Sequence, residues 1–426
     1  MRTLRTLVLV TGLLVVAAVP AAASPPSTNT KSDAIIGADW LSSQVNDQGF
    51  IESTPNTPNY SATLQAVLAL ESAHAGGANV TAMLGYLGAH VDAAVQADDD
   101  ANPVTPPTDV SGSLAYLVLD AEGAGLDPTA FGTPTTDLVA RLAATRRTTG
   151  TDIGLYGTHD PTYDGAFRQG LSLLALEAAG VTPDATAVTW LTDQQCADDL
   201  WTSYRADTSV ACPAVDPNTF SGADTNSTAL ALLGLHAAGA ASAVTAGEAA
   251  LLDVRDTDGG WTFLAATDAG PTDANSTGLV LTALRTIDGS VDVTGASALT
   301  SLQLGCDANA ADIGAFTLPD VFDPTHSPNV LATVQAIPGI ADVALPLHDV
   351  AFDAPVPIFC EEAVVSTTTT TTAPTATTAT TNQGEVAGNG LARSGSDVGP
   401  LLAIALALIA SGGGLVTTAR RRRRSG

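Results

Sequence analysis

The chain has 426 residues, 45% of them apolar and 4% aromatic, and sets 44 acidic against 16 basic side chains for a net charge of −28. Between residues 24 and 363 the imbalance sharpens to 42 acids against 8 bases. Such a field repels phosphate backbones and anionic lipid headgroups, which excludes nucleic acid as a partner.

In chain order, Arg2 and Arg5 precede an apolar run from Leu7 to Val19 and the triplet Ala21-Ala22-Ala23. A positive start, a short apolar middle and a small-residue exit predict a secretory signal over residues 1–23, followed by a short leader, 24–31. The segment "SDAIIGADWLSSQV" then sets Ile36, Trp40 and Leu41 on one side and Asp33, Ser42 and Ser43 on the other, the pattern of a helix with one wet face. Similar patterns recur at about 79–95, 135–147, 184–195, 242–254 and 293–304.

Between them lie six segments of a different kind, starting near Ala62, Ser111, Phe167, Asn226, Asn275 and Pro328, such as "NSTALALLGLHAAG". Each has a small polar start, about ten residues apolar on nearly every face, and in most copies a glycine stop, which predicts a capped and wholly buried helix. Twelve helices alternating buried and half-exposed fit either an open solenoid or a closed ring. Closure is expected, because an open solenoid leaves one face of each apolar helix in water. The fold class is therefore all-α, an (α/α)6 toroid over residues 32–345.

A second repeat supports the pairing. "WLSSQVNDQGF" from Trp40 aligns without a gap to "LLDVRDTDGGW" from Leu251, and "WLTDQQCADDLW" from Trp190 is a looser copy. The turn stops the outer helix, and the closing aromatic is expected to stack on the helix end it has just left.

The four cysteines, an even number in an exported chain, allow three disulfide pairings. Cys196 with Cys212 is the expected clamp on a long loop, and Cys306 with Cys360 would pin the tail 346–363 to the ring. No Cys-x-x-Cys or neighbouring histidine points to metal, so no metal and no cofactor are expected. Residues 364–390 are Thr-rich and read as a stalk. Leu391-Ala392-Arg393-Ser394-Gly395 follows, then an apolar span at 398–419 and the arginine run 420–424, which predicts a membrane segment with its C-terminus inside.

The outer helix ending in an Asp-Gly turn and aromatic, followed by an inner helix opening on Asp and Thr-Ala, resembles the repeat of squalene cyclases and protein prenyltransferases. The resemblance covers about residues 32–345 and implies a barrel with a central cavity, without implying one chemistry. Leu391 to Gly395 with its span and arginines resembles a Leu-Ala-x-Thr-Gly sorting signal of actinobacteria, Ser394 standing in the place of threonine. That resemblance implies sortase and the cell wall as partners, with retention in the membrane as the fallback.

The chemistry of such enzymes is not written in full. Cyclases that start by protonation open the equivalent helix on Asp-x-Asp-Asp-Thr-Ala, whereas Asp224 is followed here by Thr225, Asn226, Ser227, Thr228 and Ala229, and an amide donates no proton to an alkene. The second copy, Asp273 to Gly278, has Asn275 at that place. Asn226 and Asn275 are read as helix caps. The histidines are scattered, Gly-Cys at 305–306 lacks the remainder of a thioester motif, and the acidic run 96–103 reads as a solvated loop. The inner-helix starts collect Tyr60, Asp109, Tyr163, Asp164, Asp224, Asn226, Asp273, Asn275 and Asn329 as candidate rim residues. The expected function is a surface-anchored, non-enzymatic module holding a small molecule or surface ligand. The alternatives are a carbohydrate-active enzyme using acids such as Asp164 and Asp224, or a degenerate terpenoid cyclase-like protein.

Overall fold

The computed structural model describes residues 30–97, 107–158, 164–319 and 323–353; the expected signal, stalk, sorting sequence, membrane span and basic tail lie outside the described residues. Six helices are buried along nearly their whole length: α2 (Tyr60–Ser72), α5 (Ser111–Gly123), α7 (Ala166–Ala178), α9 (Thr225–Ala237), α11 (Ala274–Asp288) and α13 (Val330–Ile340). Each packs on the next in this order, and α13 packs back on α2, so the six form a closed ring.

The outer layer consists of α1 (Thr30–Ser43), α3 (Gly77–Ala89) with its short continuation α4 (Val91–Val95), α6 (Leu138–Ala144), α8 (Ala185–Asp193), α10 (Ala241–Asp253) and α12 (Val293–Thr300). Each of α3, α6, α8, α10 and α12 lies on the inner helix that precedes it, and α1 lies on α13 and α2. The buried positions of α10, Ala243, Val244, Gly247 and Leu251, form the single stripe expected of a helix with one wet face. The predicted outer segment at 79–95 is divided, because His90 leaves the helical region between α3 and α4. Two short antiparallel ribbons, β1 (Glu52–Thr54) with β2 (Thr57–Pro58) and β3 (Gln96–Ala97) with β4 (Thr108–Asp109), lead into α2 and α5.

Two helix crossings are made by glycine. A Cβ on Gly170 of α7 would lie 1.9 Å from the Leu230 carbonyl oxygen of α9, and one on Gly234 of α9 would lie 2.4 Å from that of Gly170. Gly278 of α11 and Gly339 of α13 repeat the arrangement, at 2.2 Å from the Gln335 oxygen and 2.6 Å from the Gly278 oxygen. With no side chain on either helix, the backbones touch.

The turn aromatics are structural: Arg255, just past the end of α10, lies 4.6 Å over the Trp261 ring, as expected of an aromatic on the helix end it has left, and hydrogen bonds add to the hold. Trp201 and Trp261 are fully buried. Their indole N–H groups donate to the Leu191 and Leu251 carbonyls, at 2.8 and 2.7 Å, satisfying last-turn acceptors of α8 and α10. Cys196 is bonded to Cys212 as expected. Cys306 is also disulfide-bonded, while Cys360 lies outside the described residues.

After α13 the chain crosses the ring at the C-terminal ends of the inner helices. Arg285 of α11 pairs with Asp342, and the Leu345 N–H donates to Thr286 Oγ1 at 3.1 Å. Farther on, the amides of Asp349 and Val350 donate to the carbonyls of Glu122 and Gly123 at the end of α5. Asp353 N–H donates to the His74 carbonyl just after α2. Leu345 and Leu347 are buried in this strap.

Candidate functional site

The N-terminal ends of the inner helices are built from a repeated pair of polar residues. Asn59, Asp224, Asp273 and Asn329 are the N-caps of α2, α9, α11 and α13, each accepting from the amide three residues on, at 2.6 to 3.1 Å. Four residues after each cap stands a fully buried threonine: Thr63, Thr228, Thr277 and Thr333. Its hydroxyl accepts the N–H of Ile51, Trp201, Trp261 or Phe316 in the preceding turn. It thereby joins each outer-to-inner turn to the helix that follows.

This corrects one expectation. The caps are Asp224 and Asp273, whereas Asn226 and Asn275 lie two residues inside their helices and are buried. Asn275 Nδ2 donates to Gln335 Oε1 at 3.1 Å, Gln335 Nε2 donates to Gln65 Oε1 at 2.8 Å, and Gln65 Nε2 reaches Ser61 Oγ at 3.2 Å. An amide chain thus runs across α11, α13 and α2. Burial lifts the Asp224 and Asp273 carboxyls to about 6, against the lowering effect of the cap hydrogen bonds.

The other rim candidates are engaged differently. Asp109 sits before α5, where Arg141 donates to it at 2.6 and 3.0 Å and Gln96 at 3.1 Å. Burial disfavours its charge, but these hydrogen bonds prevail and hold the carboxyl below its ordinary value. Asp164 is fully buried before α7 and ion-paired with Arg168 at 3.2 Å. Tyr60 opens α2 in an aromatic group with Tyr86, Phe50 and His90, its hydroxyl pushed up to about 12 by burial and by Tyr86. Tyr163 lies outside the described residues. The structure therefore places Asp224, Asn226, Asp273, Asn275 and Asn329 at the N-terminal end of the inner ring, where Tyr60, Asp109 and Asp164 also open or precede their helices but are engaged by other partners.

A groove missed in the sequence lies on the outer face. It encloses about 380 Å³ between the 151–153 segment, α8 and the 205–208 segment, and is lined among others by Asp152, Ile153, Thr186, Thr189, Trp190, Gln194 and Arg205. Asp152 accepts from Trp190 Nε1 and from the Tyr204 hydroxyl, both at 3.3 Å. Arg205 donates to the carbonyls of Gln195, Thr208 and Val210 at 2.7 to 2.8 Å, fixing the wall beside the Cys196–Cys212 bridge. Its lining comes from three separate stretches of chain, so no local motif announces it. Among the described residues no group of three or more His, Cys, Asp or Glu side chains is placed to hold a metal ion, and no helix is long and apolar enough to cross a membrane.

No family model and no curated protein matches this chain. Among solved structures it is similar to a protein from Actinoplanes at 18% identity, covering 74% of this chain and 99% of that one, with a TM-score of 0.46. It is also similar to Candida albicans protein geranylgeranyltransferase-I complexed with GGPP, at 10% identity, 72% and 90% coverage and a TM-score of 0.49. The type II terpene cyclase MstE from Scytonema gives 16% identity, 74% and 97% coverage and a TM-score of 0.46. The identities are low and the TM-scores modest, so the functional reading rests on the residues of this chain.

Proposed function

We propose that the protein is an exported binding module, held at the cell surface by its C-terminal span or by attachment to the wall, with the helical ring as a rigid head. The observation that carries this reading is the commitment of the helix-start acids to the fold. Asp224 and Asp273 cap helices, Asp164 pairs with Arg168, and Asp109 pairs with Arg141. The groove beside Trp190, at about 380 Å³, is large enough for a small sugar. Its hydroxyl, amide and carboxylate lining suits a neutral polyhydroxylated ligand.

A carbohydrate-active enzyme is the second reading, favoured by one observation: burial holds Asp224 and Asp273 at about 6, in the range useful to a general acid. Native mass spectrometry of the protein released from its own cells, together with titration against a glycan panel, tests the proposal. A retained or titratable ligand weakened by Thr189→Trp, which fills the groove, is expected. No binding anywhere on the panel, or binding indifferent to Thr189→Trp, overturns the assignment to the groove.

A further inference from the structure

At the end of the ring opposite the caps, two carboxyl groups are buried without a partner. Glu71 of α2 and Asp120 of α5 have no exposed surface, and none of their four carboxyl oxygens accepts a hydrogen bond. They are neighbours: a Cβ added to Gly123, one turn beyond Asp120, would fall 2.3 Å from Glu71 Oε2. Two ionised carboxylates cannot be held so close, dry and unpaired, so the pair holds at least one proton.

Sequence position alone does not make this acid dry. Glu71 stands three residues before the left-handed residue that ends α2, the place taken by Glu122, Glu177 and His236 in α5, α7 and α9. Glu177 and His236 are exposed, and Glu122 is only partly covered. Glu71 differs in being turned against Gly123 of α5, and the 341–353 strap abuts this side, with Val350 N–H on the Gly123 carbonyl at 2.7 Å and Asp353 N–H on the His74 carbonyl at 2.8 Å.

We propose that Glu71 and Asp120 form a proton-holding pair beneath the strap, making residues 341–353 a latch that stays shut while the pair is neutral and lifts when it ionises. The inference is independent of the ligand in the groove. Burial raises the Glu71 carboxyl to about 9 and lifts Asp120 well above its ordinary value, where Glu71 adds to the effect; burial also raises the neighbouring Tyr116 hydroxyl, with Asp120 adding to it. The closed form thus binds protons that the open form releases. Closure is fully favoured below about pH 4, the value of a free carboxyl, and weakens as pH rises towards 9.

The other titratable groups on the strap and the pair's own helices are Asp342, His348, Asp349 and Asp353 on the strap, Tyr60 on α2 and His74 just after that helix, and Tyr116 and Glu122 on α5. On the remaining packed elements stand Asp33 and Asp39 of α1, Tyr86 of α3, Asp92 of α4, Arg141 of α6, and Arg168 and Glu177 of α7; α13 contributes none. His348 faces Glu122 at 3.4 Å and His74 Nδ1 lies 3.0 Å from the Ala351 carbonyl, so both histidines need a control.

The test is hydrogen exchange of the strap amides in the full protein between pH 5 and pH 8, corrected for the intrinsic rate. Protection at Val350 is expected to fall by about tenfold per pH unit for each proton released on opening, and to become flat in Glu71→Gln/Asp120→Asn. The fall is expected to persist in His74→Gln/His348→Gln. A flat wild type, an unchanged slope in the carboxyl variant, or loss of the slope in the histidine variant overturns the proposal. Should the carboxyl variant not fold, the infrared carbonyl band of protonated acid in the wild type at pH 7 decides: its presence and disappearance at high pH together with strap protection is expected, and its absence refutes the pair.

Discussion

At the scale of single residues, the fold rests on a threonine and a cap that recur around the ring. Thr277 accepts the buried N–H of Trp261 at 3.0 Å and donates to its carbonyl at the same distance. Thr277→Val keeps the shape and strands that N–H, so it is expected to cost about 1–3 kcal/mol, with Thr277→Ser milder. A urea midpoint unchanged in Thr277→Val would contradict this. The caps carry a pH signature as well. Because burial lifts Asp224 and Asp273 to about 6, the native state holds protons that the unfolded chain releases, and stability drops as pH rises from about 4 through 6. Asparagine caps without titrating, so Asp224→Asn/Asp273→Asn is expected to flatten the stability curve in that window. An unaltered slope would show that the two acids do not contribute to it.

At the scale of elements, the close crossings of α7 with α9 and of α11 with α13 depend on facing glycines. Gly170→Ala pushes a methyl into the Leu230 carbonyl, and Gly278→Ala pushes one into that of Gln335; either is expected to cost about 1–3 kcal/mol or more, read as a lowered thermal midpoint. A neutral Gly170→Ala would mean that the helices separate freely there. The alternation of buried and half-wet helices was legible, because a helix apolar on every face has few places to go, and "NSTALALLGLHAAG" announces its stop, although its cap, Asp224, stands two residues ahead of it. The source of close contact was not. The repeated threonine of the inner-helix starts is a hydrogen-bonding post, and the approach is made by glycines in mid-helix, whose partners lie some 60 residues away.

At the scale of the whole molecule, α13 closes the ring on α2 and the strap then covers one end. The candidate site was less legible than the fold for a physical reason. The rim acids were visible as residues, but whether an aspartate caps a helix or faces a ligand is decided by where its oxygens point, and Asp224 and Asp273 point to their own backbone. Glu71 was hidden for the converse reason: its position in the repeat is open to water in α7 and α9, whereas Glu71 is turned against Gly123 of α5. The most direct test of the account is turnover on a broad glycan and isoprenoid panel, comparing the wild type with Asp224→Asn/Asp273→Asn at equal folded concentration. The account predicts no turnover by either protein and equal ligand retention by both; turnover by the wild type that the asparagine variant loses would contradict it and make the caps catalytic acids.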